Sequence, residues 1–420
     1  MNTTCGIAVI GGGAAGLAAC IFSDRCSDPP IPKVVLLDGA KQIGAKILVS
    51  GGARCNVTHH RVAWTDYNGT KTIVQRVLSA FDEQRTAQWF ESLGVRLKTE
   101  ATGKLFPVTN RAKTVLEALL NRCRQQDVAI CPQHRVHQIR VKEDGLEPCF
   151  EIDHEQGTLT ARRLIMATGG RSLPRTGSDG HGWQLVEQLG HTVTPTYPAL
   201  VPLVLDPFMF HGELSGLSVQ VTLSTFANGK QIDRRCGSLL WTHFGISGPV
   251  VMDASRFWIV AKAQGKNPVL RCHFLPNQSF EQVDRQLIDQ TNGHPKRSVL
   301  GALSPMLPTR LAKAILTHGR IDPALPSDQL KRQQRRQLVH LLTSLELPVT
   351  GSRGWNHAEV TAGGVPLNEI DARTMASRKV PGLYLIGEML DCDGRIGGFN
   401  FQWAWSTGHI AGQAAAKSLI

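Results

Sequence analysis

The chain has no CxxC pair, no His/Cys cluster at zinc spacing, and no apolar run near the ~20 residues that a membrane span requires. Its 10 cysteines are scattered through 420 residues. That excludes a redox dithiol and a disulfide framework, and it implies reduced thiols. Only 3 tyrosines are present, and Lys and Arg do not interleave with aromatics, which argues against a nucleic-acid stacking platform. Neither an internal repeat nor a low-complexity segment is found. The first strand begins almost at the N-terminus, so no signal peptide, no membrane attachment and a cytoplasmic location are expected. The net charge of +12 reads as a solvated basic surface with attraction for anionic cofactors. Its densest run, Lys331 to Arg336, reads as the exposed face of a helix.

What is present is concentrated between Cys5 and Asp38. The apolar run Ile7-Ala8-Val9-Ile10 is too short for a helix and leads into Gly11-Gly12-Gly13-Ala14-Ala15-Gly16. Small and apolar residues follow to Phe22, and a second apolar run, Val34 to Leu37, ends in Asp38. This is a strand, a glycine turn, a helix and a second parallel strand. Gly11 permits the sharp turn, Gly13 lets backbone approach a pyrophosphate, and Gly16 lets the helix pack closely on the sheet. The helix N-terminus offers unpaired N–H groups and its positive dipole end to phosphate, flanked by Ala14 and Ala15. Asp38, followed by Gly39, stands where a carboxylate takes both hydroxyls of an adenosine ribose. The pattern predicts dinucleotide binding, and FAD rather than FMN, because the turn and Asp38 need an ADP moiety.

Downstream, Ser50-Gly51-Gly52-Ala53-Arg54-Cys55-Asn56 suits a loop pressed against a flat or phosphorylated ligand. Arg54 and Lys46 could neutralise pyrophosphate, and Asn56 offers donor and acceptor. Cys55 has no redox partner and reads as a packed or ligand-neighbouring thiol. Residues 72–93 read as one helix stopped by Gly94, and a helix capped near Asn110 buries Ala112, Val115, Leu116, Leu119 and Leu120. Strand-like runs start at Val136 and Cys149. Leu164 to Gly170 is a buried strand whose end, Thr168-Gly169-Gly170, returns to the dinucleotide. The proline-rich segment from Pro195 marks a crossing into an inserted domain. There Asn228-Gly229 signals a hairpin, and Phe244 to Pro249 is a turn opening a short helix. A helical pattern divided by prolines follows from Phe280. Ala358 to Gly364 and Gly382 to Glu388 lead back, and Ala404–Ala416 forms a final helix.

Together these residues resemble the FAD-dependent flavoproteins with two dinucleotide-binding domains. More closely they resemble the bacterial BaiN/YhiN-type family, which includes dehydro-bile-acid reductases and aminoacetone-oxidase-like members. The blocks that carry the resemblance are Gly11–Gly16, Ser50–Asn56, Ala167–Gly170, Leu200–Leu203, Phe244–Pro249, Glu359–Val365 and Leu385–Ser406. The resemblance implies an α/β fold: a Rossmann-like FAD-binding domain with a parallel sheet and small β-meander, and an inserted β-barrel domain carrying a helical subdomain. The expected boundaries are 1–194 and 357–420 for the FAD domain, 195–278 and 336–356 for the barrel, and 279–335 for the helical insert. The resemblance also implies roles. Gly11, Gly13, Gly16 and Asp38 hold the ADP half, and Ser50, Gly51, Gly52, Arg54 and Asn56 line the pyrophosphate and ring side. Gly387 and Glu388 reach the ribityl chain. Gly397, Gly398, Phe399, Asn400 and Gln402 present N–H groups to the flavin N1/O2 edge, where a helix N-terminus favours reduced flavin. Val136 at the start of the meander completes the cofactor candidates. One departure is Asp391-Cys392-Asp393-Gly394-Arg395-Ile396, which places an arginine near the substrate side.

The expected reaction is two-electron hydride transfer through flavin N5: NAD(P)H-driven reduction of an activated C=C in a small organic substrate. No metal is expected. The catalytic candidates are His243, Glu359, Thr361 and Arg395, with His243 open to reading as a core histidine and Arg395 as a surface arginine. No second GxGxxG with strand and acid is found, so NAD(P)H has no dedicated domain. The rivals are an oxygen-dependent amine or amino-ketone oxidase, a flavin-dependent RNA-modifying protein, and a flavin-loaded sensor without turnover.

Overall fold

The run before the glycine turn becomes the strand Thr3–Ile10, in which Ile7, Ala8 and Val9 are fully buried. The computed structural model describes residues 3–23, 33–142 and 149–420. It divides into one unit of residues 1–198 with 359–420 and a second of residues 199–358. In the first unit five strands run parallel, in the order Leu383–Leu385, Gly157–Met166, Thr3–Ile10, Val34–Leu37, Ala129–Cys131. The three innermost have helices or loops over both faces. Ile7–Ile10, Val34–Leu37 and the end of the return strand, Leu164–Met166, are therefore continuous apolar runs, whereas the first half of Gly157–Met166 alternates, with Leu159, Ala161 and Arg163 buried. The first half of Gly157–Met166 pairs antiparallel with Cys149–His154, which pairs in turn with Val136–Lys142. This is the expected small meander. Ile370–Asp371 and Ala376–Ser377 extend the other edge antiparallel. Because Leu383–Leu385 lies beside Gly157–Met166, both ends of the chain build one sheet.

The helix after the glycine turn, Ala14–Phe22, packs against the last helix, Phe399–Lys417. Gly408 and Gly412, one turn apart, set that distance. A Cβ on either would stand 2.6 Å from Ala15 O or 2.5 Å from Ala19 O, closer than any real contact. The last helix thus begins at Phe399, five residues before the sequence pattern placed it, because Gly398 at φ 95° is its N-cap. Residues 72–93 are likewise two helices, Lys71–Ala80 and Glu83–Ser92. They are broken where the Asp82 carboxylate accepts the Arg85 N–H at 2.8 Å and caps the second. In the helix Ala112–Gln125, Cys123 rather than Leu120 completes the buried face.

The second unit carries a seven-stranded antiparallel sheet. Ser218–Ala227 and Lys230–Thr242 form its central hairpin, turned by Asn228 and Gly229 with φ 49° and 79°. Positive φ at both positions is the geometry of the type I′ turn. The two edge strands, Leu345–Leu347 and Val349–Ser352, are consecutive in the chain with only Pro348 between them. The sheet therefore curls until its edges meet. The turn at Phe244–Pro249 opens a helix of 15 residues, Pro249–Ala263, not a short one, and it packs on the central hairpin. The helical run ends with Arg332–Ser344, and strands resume at Leu345. Leu338, Val339 and Leu342 bury that helix in the same apolar cluster as Trp241, Leu270 and Val283, so sheet and helices share one core. Among the described residues no helix is long and apolar enough to cross a membrane.

Candidate functional site

The glycine turn is built to leave a cradle. Gly11 has φ 107°, and a Cβ there would stand 2.4 Å from Ala167 O. A Cβ on Gly16 would stand 1.9 Å from Gly11 O, so only glycine lets the helix seat on the turn. Gly13 is different: a Cβ there meets nothing within 4 Å. It is the N-cap of Ala14–Phe22 and supplies no side-chain cap, so the first N–H groups of the helix point into open space. That space accepts phosphate oxygens.

Asp38 closes the cradle from the second strand. Its Oδ2 accepts the Gly12 N–H at 2.6 Å and its Oδ1 accepts the Ala40 N–H at 2.7 Å. Each oxygen keeps a lone pair for a ribose hydroxyl. Burial pushes the Asp38 carboxyl above its usual range, against the lowering effect of those two N–H donors. Gly39 lies against the Arg135 side chain, and the Val136 carbonyl accepts from His181 Nε2 at 3.1 Å. At the end of the return strand Thr168 Oγ1 is buried without a partner, and Gly169 has φ 74°.

Lys46 and Glu388 form the link between the two ends of the chain. Lys46 Nζ lies 2.6 Å from Glu388 Oε2 and donates to Ser172 Oγ at 2.6 Å. Glu388 Oε1 accepts from Ser172 Oγ and from the Thr361 N–H, both at 2.9 Å. Gly170 must lack a Cβ here, since one would fall 2.4 Å from Thr361 Oγ1. Thr361 is 1% exposed, and its hydroxyl oxygen accepts from the Arg171 and Ser172 N–H groups. It positions this loop and does not face an open site, which corrects its reading as a catalytic residue. Gly387 at φ 71° lies against Ala15, so this network borders the glycine-turn helix.

The segment Ser50–Asn56 leaves helical geometry at Ser50, and Gly51, Gly52, Ala53 and Cys55 all take positive φ. Arg54 is not aimed at pyrophosphate as its charge suggested. Its Nη1 pairs with Glu100 Oε1 at 2.6 Å and its guanidinium lies over the Phe106 ring. The Cys55 thiol is fully buried and pushed up to about 12, chiefly by burial, so it is inert as a nucleophile. Asn56 is 8% exposed, and its Oδ1 has no hydrogen-bond partner. That oxygen faces Gly398, where a Cβ would stand 2.9 Å away.

Gly397 and Gly398, with φ 132° and 95°, open the last helix over that orphan acceptor. The side chains after them work inward. Phe399 is buried, and Asn400 bonds both ways with Gly394. Gln402 Oε1 accepts from Thr58 Oγ1 at 2.6 Å, and its Nε2 donates to Phe81 O at 2.9 Å. Trp403 and Trp405 pack in the core with their indole N–H groups bonded to Gly387 O and Val57 O. Only backbone N–H groups of this turn are available to a ligand.

Of the other catalytic candidates, Arg395 pairs with Asp66 Oδ1 at 3.2 Å and lies over the Phe399 ring. Glu359 is exposed, and its carbonyl accepts from Ser172 Oγ. His243 belongs to the second unit, exposed on the turn before Gly245–Ser247, so it is not a core histidine. Nine cysteines among the described residues are free thiols, and Cys26 lies outside those residues. Among the described residues no group of His, Cys, Asp and Glu could hold a metal. The open Gly13 cradle and the orphaned Asn56 and Thr168 oxygens fit a bound dinucleotide with a polar ring.

The chain belongs to the HI0933-like protein Rossmann domain family, whose pattern matches residues 5–414. It is 33% identical over 412 residues to the 3-dehydro-bile acid delta(4,6)-reductase of Clostridium scindens, covering 98% of this chain and 99% of that protein. It is 34% identical over 415 residues to the ribosomal RNA dihydrouridine synthase of Escherichia coli, covering 98% of both. The 3-ketosteroid delta1-dehydrogenase of Sterolibacterium denitrificans shares the fold, with a TM-score of 0.53 at 11% identity over 99% of this chain and 100% of that one.

Proposed function

We propose that this HI0933-like protein is an FAD-dependent oxidoreductase that saturates a C=C bond conjugated to a carbonyl, and that its substrate is a uracil ring within RNA. The two relatives carry names for different substrates but for one kind of reaction. A 3-oxo compound with 4,6 double bonds and the 5,6 bond of uridine are both conjugated to a carbonyl. Bound FAD supplies hydride transfer at N5, fed by a reduced nicotinamide nucleotide. The chain's own part is to seat the pyrophosphate on the Gly13 cradle and the ribose on Asp38. It also offers the N–H groups after Gly398 to the polar edge of the ring.

The observation that carries the RNA substrate is where the charge sits. Residues 199–358 hold 18 Lys and Arg against 10 Asp and Glu, a net +8 of the chain's +12. A polyanion gains from many of these charges at once, whereas a steroid enone with a single carboxylate gains from few and a neutral enone from none. The expectation against nucleic acid rested on aromatics failing to interleave with basic residues along the chain. A folded surface gathers its charges without that linear pattern. A second reading, a small planar enone, has the bile-acid reductase relative in its favour.

The test supplies FAD-loaded protein and NADPH, without oxygen, with either a uridine-containing ribosomal RNA fragment or a steroid enone. Gain of two hydrogens by the RNA, read by mass spectrometry, is the expected result. Turnover of the enone alone would replace the first reading by the second.

A further inference from the structure

Lys104 stands apart from the other basic residues of the first unit. It opens the strand Lys104–Pro107, pairs across the ladder with His59, and is half-buried. The nearby charges are already matched. The Glu100 carboxylate is held by Arg54, Asp66 by Arg395, and the buried Asp393 accepts from Asn68. No acidic residue occupies the first turn of the last helix, and among the described residues Lys104 has no carboxylate partner. Its Cε lies 3.7 Å from the point where a Cβ of Gly397 would stand. The ammonium therefore lies beside the helix N-terminus that Gly398 caps without a side chain.

A second, independent feature points into the same place. Asn56 is nine-tenths buried, and its Oδ1, without a partner, faces Gly398. A buried acceptor left in this way is unfavourable unless a ligand donor reaches it. The pyrimidine edge of an oxidised isoalloxazine ring has one N–H, at N3, beside the acceptors O2 and N1. An orphan acceptor next to an unmatched cation and a helix N-terminus is the complement of that edge.

We propose that Lys104 is the charge that sets the reducing power of the bound flavin. In this arrangement Asn56 accepts N3–H, and the Lys104 ammonium, with the first N–H groups of the last helix, faces the N1–C2=O edge. Two-electron reduction puts negative charge on that edge, so a cation there favours the reduced state. This rests on FAD binding as proposed above, but not on the identity of the substrate.

The experiment compares FAD-loaded wild type with Lys104→Met and Lys104→Arg by dye-equilibrated redox titration and by sulfite titration of the flavin band. Lys104→Met is expected to destabilise the reduced form ten- to hundredfold, about 30–60 mV on the two-electron scale. It should weaken the sulfite adduct in the same direction, while Lys104→Arg restores most of both. A Lys104→Met protein that binds FAD one to one with unchanged potential and sulfite affinity overturns the proposal and leaves the substrate reading standing. A wild-type protein that takes up no FAD overturns both.

Discussion

Lys46 Nζ lies 2.6 Å from Glu388 Oε2 although 342 residues separate them. One comes from the helix after the second strand, the other from the turn after the last parallel strand. Ser172 and the Thr361 N–H complete the carboxylate's partners. Both side chains are mostly shielded from water, at 25% and 18% exposure, so removing one partner leaves a poorly solvated charge. Glu388→Gln and Lys46→Met should each lower stability by about 1–3 kcal/mol. The double variant should lose clearly less than their sum. Additive losses in denaturant titrations would show that the pair is not coupled.

Two glycines of the same turn should behave oppositely. Gly16→Ala drives a methyl into Gly11 O and should abolish folding or cost more than about 3 kcal/mol. Gly13→Ala places its methyl where no protein atom lies within 4 Å, at φ −81°, which alanine accepts. It should therefore melt within a few degrees of wild type yet bind FAD at least tenfold more weakly. A Gly13→Ala protein with unchanged FAD affinity would place the pyrophosphate elsewhere.

The glycine turn and Asp38 were legible because their geometry is local: a tight turn, a helix start and a carboxylate at fixed spacing. The parallel core strands were legible because burial on both faces writes continuous apolar runs. The roles of side chains after the turn were not. Gln402 and Thr361 look like polar ligands in sequence, but each is used up by partners far away in the chain, Gln402 by Thr58 and Thr361 by Arg171 and Ser172. Arg54 and Lys46 look like free cations, yet Glu100 and Glu388 match them. Lys104 was passed over for the converse reason, since nothing in its neighbourhood along the chain shows that tertiary structure leaves it unmatched. The break at Asp82 carried a readable capping signal that apolar periodicity on both sides obscured.

His409 makes the first unit sensitive to acid. Its ring stacks on Phe81 at 4.5 Å and meets Phe22 edge-on at 4.4 Å, and its Nδ1 is buried without a partner. Burial, aided by Arg85 and Lys417, pushes its pKa from 6.5 down to about 4. The unfolded chain therefore takes up a proton before the folded one does. The stabilisation is full above about pH 6.5 and is lost as pH falls towards 4, on the order of 2–3 kcal/mol in total. His409→Phe should remove that part of the slope. A variant whose stability falls as steeply as wild type over this window would assign the acid sensitivity to other groups.

The RNA reading makes a demand on the second unit that an enone reading does not. Lys331, Arg332 and Arg336 are exposed on the helix Arg332–Ser344 and at its start, whereas Arg335 is already paired with Asp284 at 2.7 Å. The apolar side of that helix is buried through Leu338, Val339 and Leu342, so replacing the three exposed cations by glutamine keeps that face and gives up only the contact of Arg336 over the Phe280 ring. If phosphates lie against this face, each lost contact removes one released counterion. The slope of log affinity against log salt should then shrink by about 2–3 for the triple variant. Binding of a ribosomal RNA fragment should weaken at least tenfold at moderate salt. Bleaching of the flavin by NADPH and turnover of any small enone should be unchanged, since neither needs a polyanion. An unchanged slope with unchanged affinity would remove this helix from the RNA path. If wild type also failed to bind RNA, the positive charge of this unit would be a solvated surface and the small-enone reading would stand.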